Sequence, residues 1–300
     1  MSSSPPLRSL LSNLKTMPPG IYATTIPSDW MQGRTTYGGC SSALCLEAAK
    51  RELDDPALAL RSALVSFIGP AGNDVEVKAS RLRQASTAQK GKGMAFIRSD
   101  LFTADDGQLA TSATFAFGAP RLTSGFNTSA AVAPIPPGLP RPEDCPCYFD
   151  GRANARPNFT HNFEARLARG SPPVSGVSID KADTFLWARH LGCDETNGGV
   201  EGVDADTALL ALADMPLPAI MACFDEVSPG SSATWHINFL TPNNSLSAAK
   251  STPGGWFLVR SRCESAHLGF SSQDMTVWGE GGEPLCIGRQ LVAIYDKARL

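Results

Sequence analysis

The sequence predicts an α+β fold made of two similar halves, each one helix with one antiparallel sheet, and three observations support this. The first is a pattern written twice. Residues 66–84 (SFIGPAGNDVEVKASRLRQ) match the order of residues 238–265, where NFLTP is followed, after a polar insertion, by GWFLVRSRCES. Residues 94–118 likewise parallel residues 270–295. The second is an apolar helical stretch ahead of each copy, and the third is a Pro- and Gly-rich run between the copies. A unit of four or five strands cannot bury both of its faces alone, so the two units are expected to pack together with a ligand where they meet.

Along the chain, the opening MSSSPPLRSLLSNLKTMPPG has no continuous apolar core. No later run approaches the ~20 apolar residues of a membrane helix. GCSSALCLEAAKRE, residues 39–52, reads as the first helix. The first sheet follows as an apolar strand ending at Pro70, an alternating strand, a strand with an aromatic near its end, a Gly-containing turn and a last strand. Residues 120–158, including AAVAPIPPGLPRPEDCPC, disfavour helix and sheet and read as an extended connector over a surface. This sets the expected domains at 1–119 and 159–300, with the linker at 120–158. The second helix is expected from Asp206 to about Ala222, capped by Asp204 or Asp206 and disturbed by Pro216 and Pro218. The second sheet then repeats the first.

Composition narrows the function classes. The 300 residues are 42% hydrophobic, enough for a sizeable core, and a net charge of −3 gives no basic footprint for nucleic acid. The eight cysteines have no CxxC spacing, and the one close pair, Cys145 and Cys147, has no histidine nearer than His161. They read as reduced thiols, with no metal site expected. No GxSxG elbow is present, which disfavours a serine hydrolase of that type.

A helix with its antiparallel sheet, in two fused copies, resembles the double hotdog of acyl-CoA thioesterases of the thioesterase II type and their thioesterase-like relatives. The resemblance covers nearly the whole chain except the linker. It is carried by DWMQGRTTYGG (residues 29–39), ALADMPLPAI (211–220), SATWHINFLTP (232–242) and GWFLVRSR followed by GFSSQDMTVWGEGGEPLCIGRQ. The resemblance implies hydrolysis of an acyl thioester without a covalent intermediate. In that family a helix Asp acts with a hydroxyl residue and a Gln to hold and activate the attacking water. The fold also hosts hydratases, which pair an Asp with a His a few residues later, but after Asp214 no His occurs before His236.

Carried over residue by residue, the resemblance places the acid on Asp214, the hydroxyl on Ser232 and the amide on Gln290. Asp214 stands among apolar helix neighbours, where an isolated carboxylate is costly to bury; it equally fits a carboxylate facing solvent at the helix end. Ser232 replaces the commoner Thr and lacks the methyl that restrains the rotamer. Strict alternation would set Ser232, Thr234 and His236 on one strand face, making Thr234 the substitute hydroxyl and bringing His236 towards the site. Gln290 can orient a water without acting as a base, and Thr114 is expected at the matching place of the first half. Glu47, the nearest acid there, reads as a solvated helix residue with Lys50 or Arg51 as partner.

Gly38 and Gly39 are expected to let substrate approach the backbone, with free helix-start amides polarising the thioester carbonyl; they equally suit tight helix and sheet packing. Lys90 and Lys92, in a basic turn, are candidates for the CoA phosphates. The expected partners are an acyl-CoA substrate and a second copy of the chain in a homodimer, without membrane, metal or cofactor. A cytoplasmic location is expected, or a peroxisomal one through Ala298-Arg299-Leu300, a variant of Ser-Lys-Leu, in a eukaryotic source. The alternative function is a non-catalytic acyl-CoA-binding or scaffold protein, which would bind acyl-CoA and release no thiol.

Overall fold

A computed structural model describes residues 6–53, 55, 57–84, 93–119, 134–149, 156–196, 198–240, 253–279 and 281–295. Twelve antiparallel strands form one sheet with two helices against its inner face. The first half contributes β1 (Lys15–Thr16), β2 (Ile21–Thr25), β5 (Ala59–Phe67), β6 (Asp74–Gln84), β7 (Met94–Thr103) and β8 (Leu109–Gly118). The second contributes β9 (Phe163–Arg169), β10 (Asp183–His190), β11 (Gly230–Phe239), β12 (Phe257–His267), β13 (Phe270–Gly279) and β14 (Pro284–Ile294). Short strands β3 (Met31–Gln32) and β4 (Thr35–Thr36) form a separate ribbon.

The sheet order is β1-β2-β6-β7-β8-β5-β11-β14-β13-β12-β10-β9, so each half keeps the same internal order and the halves join at β5 and β11. At that seam Leu64 lies opposite His236, while Ser66 pairs with Thr234 and Ser62 with Asn238. If Ser66 corresponds to Asn238, as the repeated text requires, Leu64 corresponds to His236. The pseudo-twofold axis therefore passes through that pair.

The long helix α2 (Gly38–Leu53) buries 11 of its 16 residues. A helix enclosed on nearly every side needs small side chains, and Gly39, Cys40, Ser41, Ser42, Ala43, Cys45, Ala48 and Ala49 supply them. Beside it runs α3 (Ala205–Ala213), capped by Asp204, whose carboxylate accepts from the N–H groups of Asp206 and Thr207. The helices are antiparallel: Tyr37 Oη, at the start of α2, donates to Ala211 O at 2.7 Å, and Lys50, near its end, pairs with Asp204.

Two expectations are corrected here. The second helix does not reach Ala222; it ends at Ala213, because Pro216 disfavours helical backbone at Met215 and cannot donate an N–H, and the chain resumes as a 3-10 turn at Ala219–Cys223. The opening residues contain a further helix, α1 (Pro6–Ser12), whose Leu7, Leu10 and Leu11 are buried in the core. Residues 134–149, read as part of an extended connector over a surface, run along the outer face of the second half. Ile135, Leu139 and Cys145 pack there with Phe185, Trp187, Trp256 and Trp278, and Trp187 Nε1 donates to Pro140 O at 3.0 Å. That cover explains why β10 is buried on both faces while β7 alternates.

Among the described residues, no helix is long and apolar enough to cross a membrane. The eight cysteines are free thiols.

Candidate active site

Asp214 is the C-cap residue of α3, and the turn at Pro216 aims it at the start of α2. Its carboxylate accepts from Gln290 Nε2 at 2.7 Å and from the Gly39 backbone N–H at the first turn of α2. Both donors favour the charged form, as does the positive end of the helix dipole. Burial opposes them and dominates, pushing the Asp214 pKa up from 3.8 to about 7. Asp214 keeps limited exposure through the cavity that it lines, and protein surrounds it otherwise.

Gly38 stands at van der Waals limits here. A Cβ on it would fall 2.7 Å from Asp214 Oδ2 and 3.0 Å from the Phe67 ring. On Gly39 a Cβ would lie 2.5 Å from the Tyr37 ring, which stacks on Phe159 of the other half at 4.0 Å. Glycine is thus required at both positions by close packing, against the carboxylate and Phe67 at Gly38 and against the Tyr37 ring at Gly39. The Gly39 N–H, expected to polarise a substrate carbonyl, is engaged by Asp214 in this structure.

Asp214, Gln290, Gly38 and Ser232 line one cavity of about 380 Å³. Among the described residues Ser232 makes no direct hydrogen bond to Asp214 or Gln290, and all three border the same space. Its placement depends on a β-bulge. Between Ser232 and Thr234 the register slips by one: Ser232 faces Val292 and Thr234 faces Leu291 across β14. Val292 is buried and Leu291 exposed, so Ala233 is the extra residue and Ser232 joins Trp235 on the inner face.

This corrects the period-2 reading. Thr234 and His236 point outward, away from Asp214, and Thr234 is not the substitute hydroxyl. His236 instead lies near Ser62 Oγ at 3.3 Å and Asn238 Oδ1 at 3.2 Å. Lys90 and Lys92, and the tail Ala298-Arg299-Leu300, lie outside the described residues.

The counterpart of Gln290 also moves by one. Across β5, Leu64 pairs with Thr114 and Ala63 with Phe115; across β11, His236 pairs with Arg289 and Trp235 with Gln290. With Leu64 matching His236, Thr114 matches Arg289 on the outer face, and Gln290 matches the buried Phe115. At the opposite end of the helix pair, where the second half's site would repeat by symmetry, Lys50 ion-pairs with Asp204 and lies 4.0 Å from Asp206. Glu47 is taken by Arg51 Nε at 2.9 Å. At one end of the pair Asp214, Gln290 and Ser232 converge on a cavity; at the other Lys50 pairs with Asp204 and Glu47 with Arg51.

Sequence reasoning passed over Ser41, Phe67, Thr111 and Phe159, which also line the cavity. Phe67 carried a signal, since it matches Phe239 in the repeated strand end. Ser41, one turn into an otherwise buried helix, carried none.

A carboxylate, an amide and a hydroxyl bordering one cavity, on helices wrapped by duplicated sheets, stand in a double hot dog fold. The chain belongs to the acyl-CoA thioesterase family: its residues 26–118 match that family's N-terminal domain and residues 142–294 its C-terminal domain. A hot dog protein of unknown function from Alicyclobacillus acidocaldarius superposes with a TM-score of 0.77 at 21% identity, over 96% of this chain and 98% of that one. The tesB protein of Mycobacterium avium subs paratuberculosis gives 0.69 at 17% identity, over 97% and 100%. Acyl-CoA thioesterase II TesB2 from Mycobacterium marinum gives 0.68 at 16%, over 98% and 100%. At these identities the structural likeness speaks for the fold. No curated protein matches the chain significantly in sequence.

Proposed function

We propose that this protein hydrolyses an acyl-CoA thioester to a free acid and CoA, using a water activated at Asp214. The observation that carries the reading is the Asp214 carboxylate, buried against the start of α2, held by Gln290 at 2.7 Å and facing a cavity. A base with a pKa of about 7 takes a proton well at neutral pH. Water bound between Asp214, Ser232 and Gln290 attacks the thioester carbonyl as Asp214 takes one of its protons. The tetrahedral intermediate then expels the CoA sulfur, which receives that proton, and the carboxylate is regenerated. The amide of Gln290 orients both carboxylate and water without competing for the proton, and the Gly39 N–H anchors the carboxylate.

Thiol capture during incubation with acyl-CoA of several chain lengths tests the reading. CoA release by the parent protein is expected. Binding of every acyl-CoA without thiol release would replace the hydrolase with a non-catalytic acyl-CoA-binding protein.

A further inference from the structure

A second cavity, of about 360 Å³, adjoins the first and shares Gln32, Leu217, Met221 and Gly230 with it. Its character differs. Its far walls include Tyr148 and Phe149 on one side and Phe224 and Val227 on the other. Arg156 lies there, but its Nε donates to Thr160 Oγ1 at 2.8 Å and its guanidinium sits over the Phe149 ring. The first cavity instead mixes hydroxyl residues, among them Ser41, Thr111 and Ser232, with the Asp214 and Gln290 side chains.

We infer that this groove takes the acyl chain of the substrate and that Met221 sets how much chain can enter. The inference rests on the hydrolase reading for where the scissile bond lies. A thioester carbonyl beside Asp214 sends its two substituents in different directions. The pantetheine arm carries amides and a hydroxyl, which need partners on leaving water, whereas an alkyl chain needs none and gains from apolar walls. The groove therefore suits the alkyl chain, and the more polar first cavity suits the thioester and the start of the pantetheine.

Met221 stands where the two spaces join. A Cβ on Gly230 would lie 3.1 Å from Met221 Cε, so its methyl reaches across to the start of β11. Its backbone is fixed: Met221 N donates to Pro218 O at 2.9 Å, and its carbonyl accepts from Val174 N at 2.7 Å. A flexible unbranched side chain on a fixed backbone can adjust the opening without moving the wall.

Binding of butyl-, octyl- and dodecyl-CoA thioethers, which cannot be hydrolysed, tests this by calorimetry. Affinity for the parent is expected to rise with length, by up to about fourfold per methylene while the groove fills. In Met221→Trp, which blocks the junction, the gain from butyl to octyl should vanish while butyl-CoA binding persists. Val227 is 56% exposed, so Val227→Asp should fold normally and weaken dodecyl-CoA selectively. The same length dependence in parent and both variants, or none in the parent, would overturn the groove as the acyl site. CoA release from octanoyl-CoA by the parent is read separately. Its absence alongside intact length dependence would overturn hydrolysis and leave the groove standing.

Discussion

In the proposed hydrolysis Asp214 carries the chemistry because its surroundings pull in opposite directions. Gln290 and the Gly39 amide favour the carboxylate, burial favours the acid, and burial wins, giving a pKa of about 7. Activity should therefore rise with pH and level off above a midpoint near 7 in kcat/KM, as read from a pH–rate profile. The same shift makes a stability statement. A carboxyl whose folded pKa is raised contributes stability that is present below its unfolded value and lost as pH rises through the folded one. Asp214→Asn should thus gain stability relative to the parent between pH 5 and pH 8, by roughly 2 kcal/mol, measured by denaturant titration at both pH values. Gly38 is the second residue with a sharp consequence. Gly38→Ala forces a methyl against Asp214 Oδ2 and Phe67, so a loss of about 1–3 kcal/mol in stability is expected in the same titration. The chain displayed Asp214 among apolar neighbours and the glycine pair after Tyr37. It did not display their contact, which joins residues about 175 positions apart and exists only through the antiparallel helices.

At the scale of elements, the bulge in β11 decides which hydroxyl faces the cavity beside Asp214. Alternation assigns faces correctly along an unbroken strand, but one extra residue reverses every assignment beyond it, and nothing in Ser-Ser-Ala-Thr marks Ala233 as that residue. The counterpart of Gln290 was displaced for a similar reason. The turn from Thr103 to Leu109 is one residue longer than that from Gly279 to Pro284, so text aligned through β7 is out of step by one in β8. If the inner face holds the water, Ser232→Ala should lower kcat by about tenfold or more, and Thr234→Ala should leave it within about twofold. Steady-state kinetics of the two variants separates them, and a larger effect at Thr234 would mean that the strand register differs in solution. The α3 terminus was partly readable, since Pro216 and Pro218 announced a disturbance. The burial of α1 left a signal, Leu7, Leu10 and Leu11 at helical spacing, that the short polar surroundings masked, whereas the packing of Ile135, Leu139 and Cys145 was not readable, because their run has the composition of a surface segment.

Across the whole molecule, the two halves repeat one fold, and the proposed site lies where they differ. The repeated strand text was legible because period-2 alternation and strand-ending prolines survive divergence, and both halves indeed share one strand order. At one end of the helix pair Asp214, Gln290 and Ser232 meet a cavity; at the other, Phe115 replaces the amide, Lys50 is paired with Asp204, and Glu47 is held by Arg51. Catalysis at a single end is the central claim, and kcat for thioester hydrolysis in Asp214→Asn beside Glu47→Gln tests it most directly. The expected result is a loss of ~10²-fold or more in Asp214→Asn, since the amide keeps the shape but cannot accept the proton, with Glu47→Gln within about twofold of the parent. Turnover at the parental rate in folded Asp214→Asn, or an equal loss in both variants, would contradict it.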